Sequence, residues 1–188
     1  MTTATQSYTT PAWLPTFANP FHRPAGPMDL APITRGLVIV SGTLMSALCA
    51  IAIGRALFGF APDLPHLQNY VVAFHVTTVV PCVPLGLYLL LAPKGGARHK
   101  QLGKLWVALM VITALSTLFI RDGMQLSWIH IFVPITLRAC YLIVAKARRG
   151  DIKGHRNEIV SLYLGALMIP AVWAFLIENR LMATMLYG

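Results

Sequence analysis

The chain has 188 residues, of which 56% are hydrophobic and only 11% are charged, and its mean hydropathy is +0.66. A soluble domain is ordinarily about a quarter charged, so this composition excludes a soluble globular protein and predicts an all-α, polytopic membrane protein. The net charge of +9 does not indicate a nucleic-acid partner, because the basic residues lie in short clusters between apolar runs, as they do in membrane proteins.

Residues 1–35 are predicted to form an extended, proline-rich arm on the cytoplasmic side. The arm holds Pro11, Pro15, Pro20, Pro24, Pro27 and Pro32. Each proline ring removes a backbone donor, so this density excludes a long helix. Trp13, Phe17 and Phe21 are spaced along the arm and predict contact with a protein neighbour or with the headgroup surface.

The remainder, residues 36–188, is predicted to form a bundle of about five transmembrane helices. A span needs about 20 apolar residues to cross roughly 30 Å of hydrocarbon. Apolar runs of this kind lie at about residues 36–58, 70–92, 104–121, 127–146 and 158–178. Prolines fall within several of these spans and predict bends there, namely Pro81, Pro84, Pro134 and Pro170.

The basic loops predict the orientation of the chain. Nine cations flank the second-to-third and fourth-to-fifth connections: Lys94, Arg98, Lys100, Lys104, Lys146, Arg148, Arg149, Lys153 and Arg156. The opposite face has Arg55, Arg121 and Arg180. Because cytoplasmic loops are enriched in Lys and Arg, we expect the amino terminus inside, the carboxyl terminus outside, and anionic lipid against the inner loops.

Two intramembrane histidines are the first candidate site. His75 and His130 are each about six residues outward of the middle of their spans, which places both at one depth, roughly 9 Å toward the outer face. Two imidazoles at one depth on neighbouring helices are able to bind a haem iron between them. The alternatives are a hydrogen bond to another helix, or contact with a quinone or pigment.

A second histidine pair, His99 and His155, precedes spans three and five and is predicted to lie at the inner interface. Either these residues hold a second haem or they face lipid phosphates. The two tiers of histidines on four helices are similar in layout to cytochrome b561-type proteins. That likeness implies one haem near each membrane face, although His99 and His155 stand among cations at headgroup level.

Arg138 lies near the middle of span four, where a cation costs at least about 2.5 kcal/mol. None of the six carboxylates is predicted at that depth. We therefore expect an anionic or oxygen-rich partner, such as a haem propionate, a quinone, a carbonyl beside a proline or an acid on another subunit. The alternative is that the side chain snorkels toward the level of Lys146.

The carboxylates do not indicate an enzyme, because they lie in the arm, in loops or at span ends, and no pair is spaced for acid–base chemistry. Two functions remain as hypotheses. The first is a b-type haem or quinone-binding component of electron transport. The second is an accessory subunit, without a cofactor, of a larger respiratory or photosynthetic membrane complex.

Several motifs carry a family resemblance. They are Ala97-Arg98-His99-Lys100-Gln101-Leu102-Gly103-Lys104-Leu105-Trp106, the run from Arg148 through His155-Arg156 to Gly165, the pair Ile129-His130, and the ending Asn179-Arg180-Leu181-Met182 with Tyr187-Gly188. On these motifs, residues 36–188 resemble small bacterial membrane proteins of the domain-of-unknown-function 2306 type. The resemblance implies a bacterial inner-membrane location and no established activity. One departure is Asn157-Glu158-Ile159, where the family commonly has a basic residue and Met.

Overall fold

The computed structural model describes residues 30–61, 64, 69–120, 128–178 and 180–188, and within these ranges the chain forms helices and no strand. The predicted all-helical bundle is confirmed. The aromatic contacts predicted for Trp13, Phe17 and Phe21 lie outside the described residues. Helix α1 begins at Pro32, slightly earlier than the predicted first span, since a proline is well tolerated in the first turn of a helix.

The described helices follow one another with short connections. They are α1 Pro32–Leu57, α2 Tyr70–Leu91, α3 Ala97–Thr117, a 3₁₀ turn Trp128–Ile131 leading into α4 Phe132–Arg148, α5 Ile152–Ser161, a π-helical segment Leu162–Met168, α6 Ile169–Leu176 and α7 Leu181–Tyr187. Helix α5, the π segment and α6 form one continuous rod, Ile152–Leu176.

Among the described residues, four rods are both long and apolar enough to cross a membrane: Pro32–Leu57, Tyr70–Leu91, Trp128–Arg148 and Ile152–Leu176. The predicted third span corresponds to α3, whose 21 residues extend over about 32 Å. Its length therefore matches the hydrocarbon thickness. Its mean hydropathy is lower than that of the other rods because its first eight residues include Arg98, Lys100 and Lys104.

Local signals explain where several helices begin and end. The Asn69 side chain accepts a hydrogen bond from the backbone N–H of Val71 at 3.0 Å and caps α2. The Asp151 carboxylate accepts one from the N–H of Gly154 at 2.8 Å and caps α5. Between α4 and α5, Gly150 has φ +75°, a left-handed conformation that stops α4 and turns the chain back.

The helices form a ring with α1 on its outside. Helix α2 packs on α3, α3 on α4, and α4 on α5, while the π segment closes the ring against α2. Helix α1 packs on α2 and on the π segment. We call the end that holds connections 92–96 and 149–151 the basic end, and the end that holds the start of α2 and the end of α6 the cavity end.

Helix α7 was not predicted from the sequence and folds back onto α1 at the cavity end. The Arg55 guanidinium donates hydrogen bonds to the carbonyls of Met185 at 3.3 Å, Gly188 at 2.8 Å and Phe60 at 3.1 Å. It therefore satisfies carbonyls that the ends of both helices leave without helical partners. The end of α1 and the carboxyl terminus consequently lie at the same end of the bundle.

Two buried aromatic residues fill the middle of the ring. The Trp106 indole N–H donates to the carbonyl of Cys82 at 2.9 Å, and the Tyr163 hydroxyl donates to the carbonyl of Val83 at 3.0 Å. A methyl group on Gly86 would lie 2.7 Å from the Tyr163 ring and 2.9 Å from the Trp106 nitrogen. Gly86 is therefore the position that lets both rings approach α2.

Candidate functional site

A cavity of about 620 Å³ opens at the cavity end of the bundle, between α2, α3, α4 and α6. Its volume is within the range of about 300–1,000 Å³ that is typical of small-molecule sites. His75 from α2 and His130 from the turn before α4 both line its wall. The two histidines that the sequence singled out are thus brought to one cavity, and their ligand role stays a prediction.

His75 lies in the second turn of α2 and is half-buried. Its ring nitrogen Nδ1 is 2.9 Å from the Ser116 hydroxyl and 3.5 Å from the Thr117 hydroxyl, both on α3. Each of these hydroxyls donates its own proton to the backbone carbonyl of Thr113, Ser116 at 2.8 Å and Thr117 at 3.0 Å. The imidazole is therefore held by contacts across the α2–α3 interface.

A second pair of hydroxyls joins the same two helices. Thr113 donates to the Thr78 hydroxyl at 3.0 Å, and Thr78 donates in turn to the backbone carbonyl of His75 at 2.9 Å. Hydrogen bonds of this kind between membrane helices contribute about 0.6 kcal/mol on average. Together they fix the register of α2 against α3 at the level of His75. Sequence reasoning missed these hydroxyls, because their facing depends on helix rotation.

His130 is buried, with 8% of its surface exposed, and belongs to the 3₁₀ turn Trp128–Ile131. Trp128 in the same turn makes edge-to-face contacts with Phe132 and Trp173, with ring centroids 6.2 Å and 5.8 Å apart. This aromatic contact ties the start of α4 to α6. The contact holds the turn that contains His130 in its place in the cavity wall. The hydropathy of the sequence does not predict this contact.

The π-helical segment Leu162–Met168 borders the cavity, and Ala166, Leu167 and Pro170 line the wall beside it. Pro170 has no backbone N–H, and an α-helical course would press its ring against the carbonyl of Ala166. The wider turn of the π segment gives the ring room. Such segments are frequent at functional sites.

Polar groups lie among the largely apolar lining of the cavity. Thr113, Thr117 and Thr136 contribute hydroxyls, and Glu178 and Arg180, both exposed, stand where the rod Ile152–Leu176 has ended. Glu178 and Arg180 were not proposed as site residues from the sequence. Their opposite charges, two residues apart at the end of the predicted fifth span, were the signal in the sequence.

Arg138 is the central residue of the rod Trp128–Arg148 and is exposed. It is absent from the cavity wall. In the part of the chain that the structure describes, the Arg138 guanidinium makes no hydrogen bond or ion pair. The acids in that part lie away from the middle of the bundle; they are Asp151, Glu158 and Glu178. The predicted cofactor contact of Arg138 therefore stays a prediction.

His99 and His155 lie at the basic end, in the first turns of α3 and α5. They are near enough for the charge of His155 to act on His99. His155 Nδ1 donates to the backbone carbonyl of Ile143 on α4 at 2.8 Å, which joins α5 to α4. His99 Nδ1 is buried and has no hydrogen-bond partner among the described residues. The predicted haem or phosphate contacts of this pair stay predictions.

Two basic side chains at this end have defined partners. Lys94 donates to the carbonyls of Leu90 at 2.8 Å and Ala92 at 3.0 Å, at the end of α2, and burial lowers its pKa. Lys146 forms an ion pair with Glu158 at 2.7 Å. Glu158 is the acid by which the sequence departs from the family pattern, and it links α4 to α5.

The comparison with known families identifies the chain. A family model described as "Predicted membrane protein (DUF2306)" matches residues 72–186, more than half of the sequence. No curated protein and no solved structure matches the chain. The likeness to cytochrome b561-type proteins therefore stays one of layout. The match takes in almost all of α2 and the helices from α3 onward, and leaves out α1. The chain belongs to the DUF2306 family of predicted membrane proteins.

Proposed function

We propose that this membrane protein binds a lipophilic redox cofactor, a b-type haem or a quinone, in the cavity and takes part in electron transfer. The observation that carries the proposal is that His75 and His130, from different helices, line one cavity of about 620 Å³. Two further features at the same cavity support the proposal. The π segment beside it is an irregular helix of a kind frequent at functional sites, and the Ser116 hydroxyl holds the His75 ring in place.

The donor set suits a haem better than a bare metal ion. Within the described ranges there is no group of three or more His, Cys, Asp or Glu side chains that is able to hold a metal. A haem requires only axial ligands from the protein, because the porphyrin supplies the other four nitrogens. Arg180 at the cavity wall is a suitable partner for a propionate. A quinone would instead use the histidine and threonine groups as hydrogen-bond partners.

The test is a reduced-minus-oxidised absorption spectrum of protein purified in mild detergent, together with solvent extraction of bound quinone. If haem is bound, we expect a low-spin band that His75→Ala and His130→Ala each abolish. His155→Ala, which removes a histidine outside the cavity, should keep this band. A separate band lost in His155→Ala alone would belong to the second haem predicted for His99 and His155. A quinone should be found in extracts of the wild type and be depleted in the two cavity variants.

Protein that carries neither haem nor quinone after gentle purification would contradict the proposal. Equal spectra in the wild type and both cavity variants would contradict the role of the two histidines. The losses in His75→Ala and His130→Ala should not add in the double variant, because bis-imidazole ligation needs both side chains.

We further propose a bacterial inner-membrane location in which the basic end faces the cytoplasm and contacts anionic lipid. Nine Lys and Arg residues flank the connections at this end, among them Lys94 and Lys146, whose partners are described above. Juxtamembrane cations of this kind each contribute about 1 kcal/mol at an anionic surface. In this orientation the cavity opens in the outer half of the membrane.

The second candidate function is that of an accessory subunit, and Arg138 favours it. An exposed arginine at the middle of a membrane rod costs at least about 2.5 kcal/mol in lipid. A neighbouring subunit that presents a carboxylate at that depth would remove this cost. Tyr141, one turn further along α4 and 68% exposed, would lie in the same contact.

Arg138→Leu tests this second function. We expect the variant to run as a smaller species than the wild type on a native gel in mild detergent, and Arg138→Lys to restore the larger species. Arg149→Leu, which removes an exposed arginine at the basic end, is the control. Deletion of residues 2–30 tests the predicted contacts of Trp13, Phe17 and Phe21 in the same way. A single size for all variants would contradict an accessory role.

A further inference from the structure

The hydroxyls around His75 favour one of the two positions for the proton of its neutral ring. A hydroxyl has one proton to donate, and Ser116 donates its proton to the carbonyl of Thr113. The Ser116 oxygen is therefore the acceptor in its 2.9 Å contact with His75 Nδ1. Thr117, at 3.5 Å from the same nitrogen, also donates its proton to the Thr113 carbonyl and is likewise an acceptor toward the imidazole.

A neutral imidazole carries one proton, so a protonated Nδ1 leaves a lone pair on Nε2. Both hydroxyl contacts of the His75 ring are at Nδ1, and His75 lines the cavity. Histidines that bind metals use the same arrangement, in which the second nitrogen donates to a neighbouring oxygen.

We infer that Ser116 is a positioning residue that fixes the Nδ1–H form of His75, so that Nε2 offers an electron pair to the ligand in the cavity. The group that meets Nε2 is then an electron-pair acceptor, either a metal such as haem iron or a hydroxyl such as that of a quinol. The oxidised quinone is disfavoured at this nitrogen, because its carbonyl oxygens are themselves acceptors. This inference rests on the proposed function for the identity of the site.

The tautomer is measured on the protein without added ligand, by NMR of the ring nitrogens of ¹⁵N-histidine-labelled protein. His75→Gln identifies the His75 signals. We expect Nδ1 protonated and Nε2 unprotonated in the wild type. The double variant Ser116→Ala/Thr117→Val, which removes both hydroxyls beside Nδ1, should shift the population toward Nε2–H. Ser116→Thr, which keeps a hydroxyl there, should not.

Ser46→Ala is the matched control for the tautomer measurement. Ser46 is a half-buried serine on α1 that bonds only the carbonyl of Gly42 and lies outside the cavity wall. Its removal should leave the His75 signals unchanged. An Nε2–H form in the wild type, or an unchanged spectrum in the double variant, would overturn the inference whatever the cavity binds.

The ligand class is measured by titrating the purified protein with four probes: haem, metal-free protoporphyrin, a quinol and the quinone with the same tail. We expect haem to bind more tightly than metal-free protoporphyrin if iron is the acceptor, or quinol more tightly than quinone if a hydroxyl is. The preference should fall about ten- to a hundredfold in the double variant, the usual effect of losing an outer hydrogen bond to a metal-binding histidine.

The outcomes separate the inference from the proposed function. Equal binding of haem and metal-free protoporphyrin, together with quinone binding at least as tight as quinol binding, would overturn the ligand class and leave the cavity as a binding site. Binding of none of the four probes would overturn both the ligand class and the proposed function. The NMR result would still decide the tautomer in that case.

Discussion

Cys82 and Val83 connect three helices through their backbone carbonyls. A carbonyl oxygen has two lone pairs, so these carbonyls are able to accept side-chain hydrogen bonds as well as those of the α2 helix. The additional donors are Trp106 on α3 and Tyr163 in the π segment. Both rings are almost completely buried and lie one turn nearer the basic end than the deepest cavity-lining residues of their own helices. They therefore close the cavity toward the basic end.

Gly86→Ala should destabilise the protein, because the added methyl group would lie 2.7 Å from the Tyr163 ring. Overpacking of this kind costs typically about 1–3 kcal/mol. Thermal unfolding in detergent, followed by circular dichroism, measures the effect. Gly103→Ala in α3 is the control, since a methyl group there meets no atom within 4 Å. It should keep or raise the melting temperature, and an equal loss in both variants would contradict the packing argument.

The helices differ in how far their form follows from local sequence. Apolar length predicts a helix in each region from α1 to α6, because crossing a bilayer requires an apolar run of fixed length. It does not predict where every helix starts, since α3 begins at Ala97 and α5 at Ile152, seven and six residues before the predicted spans. The π segment, the 3₁₀ turn and α7 were not predicted. The 3₁₀ turn depends on the contact of Trp128 with the distant Trp173, and α7 on the hydrogen bonds from Arg55. The π segment depends on a single residue, Pro170, in its own rod.

Arg55→Met should loosen α7, because the guanidinium supplies hydrogen bonds to the carbonyls of Met185 and Gly188. A hydrogen bond to a charged group typically contributes about 1.5–3 kcal/mol to the free energy of unfolding. We expect a smaller contribution here, because the contact is partly exposed to solvent. We expect faster carboxypeptidase cleavage of the carboxyl terminus and a lower melting temperature. Arg148→Met, at the basic end, is the control. Equal cleavage rates would show that α7 is held by its buried Leu181, Met182 and Met185 alone.

At the scale of the whole molecule, the candidate site arises from the ends of several helices that meet at one end of the bundle. The sequence predicts that His75 and His130 belong to the same end, because alternate spans reverse direction. It does not predict that both line one cavity, because that depends on how each helix is rotated about its axis. For the same reason, Arg138 is recognisable as unusual from its position, whereas its exposure on the outside of α4 is known only from the fold.

The orientation of the bundle in the membrane is tested by cysteine labelling in intact cells. Gly96→Cys and Arg149→Cys place thiols at the two connections of the basic end, at exposed positions with negative φ, whereas Gly150 has φ +75° and is unsuitable. The native cysteines, Cys49, Cys82 and Cys140, are buried and provide a low background.

We expect an impermeant maleimide to leave both basic-end cysteines unmodified until the cells are opened, because nine cations there outweigh three at the opposite end. Phe60→Cys, which follows α1 at the cavity end and replaces a side chain that is 68% exposed, should react in intact cells. The reverse pattern would place the basic end outside. The cavity would then open in the inner half of the membrane.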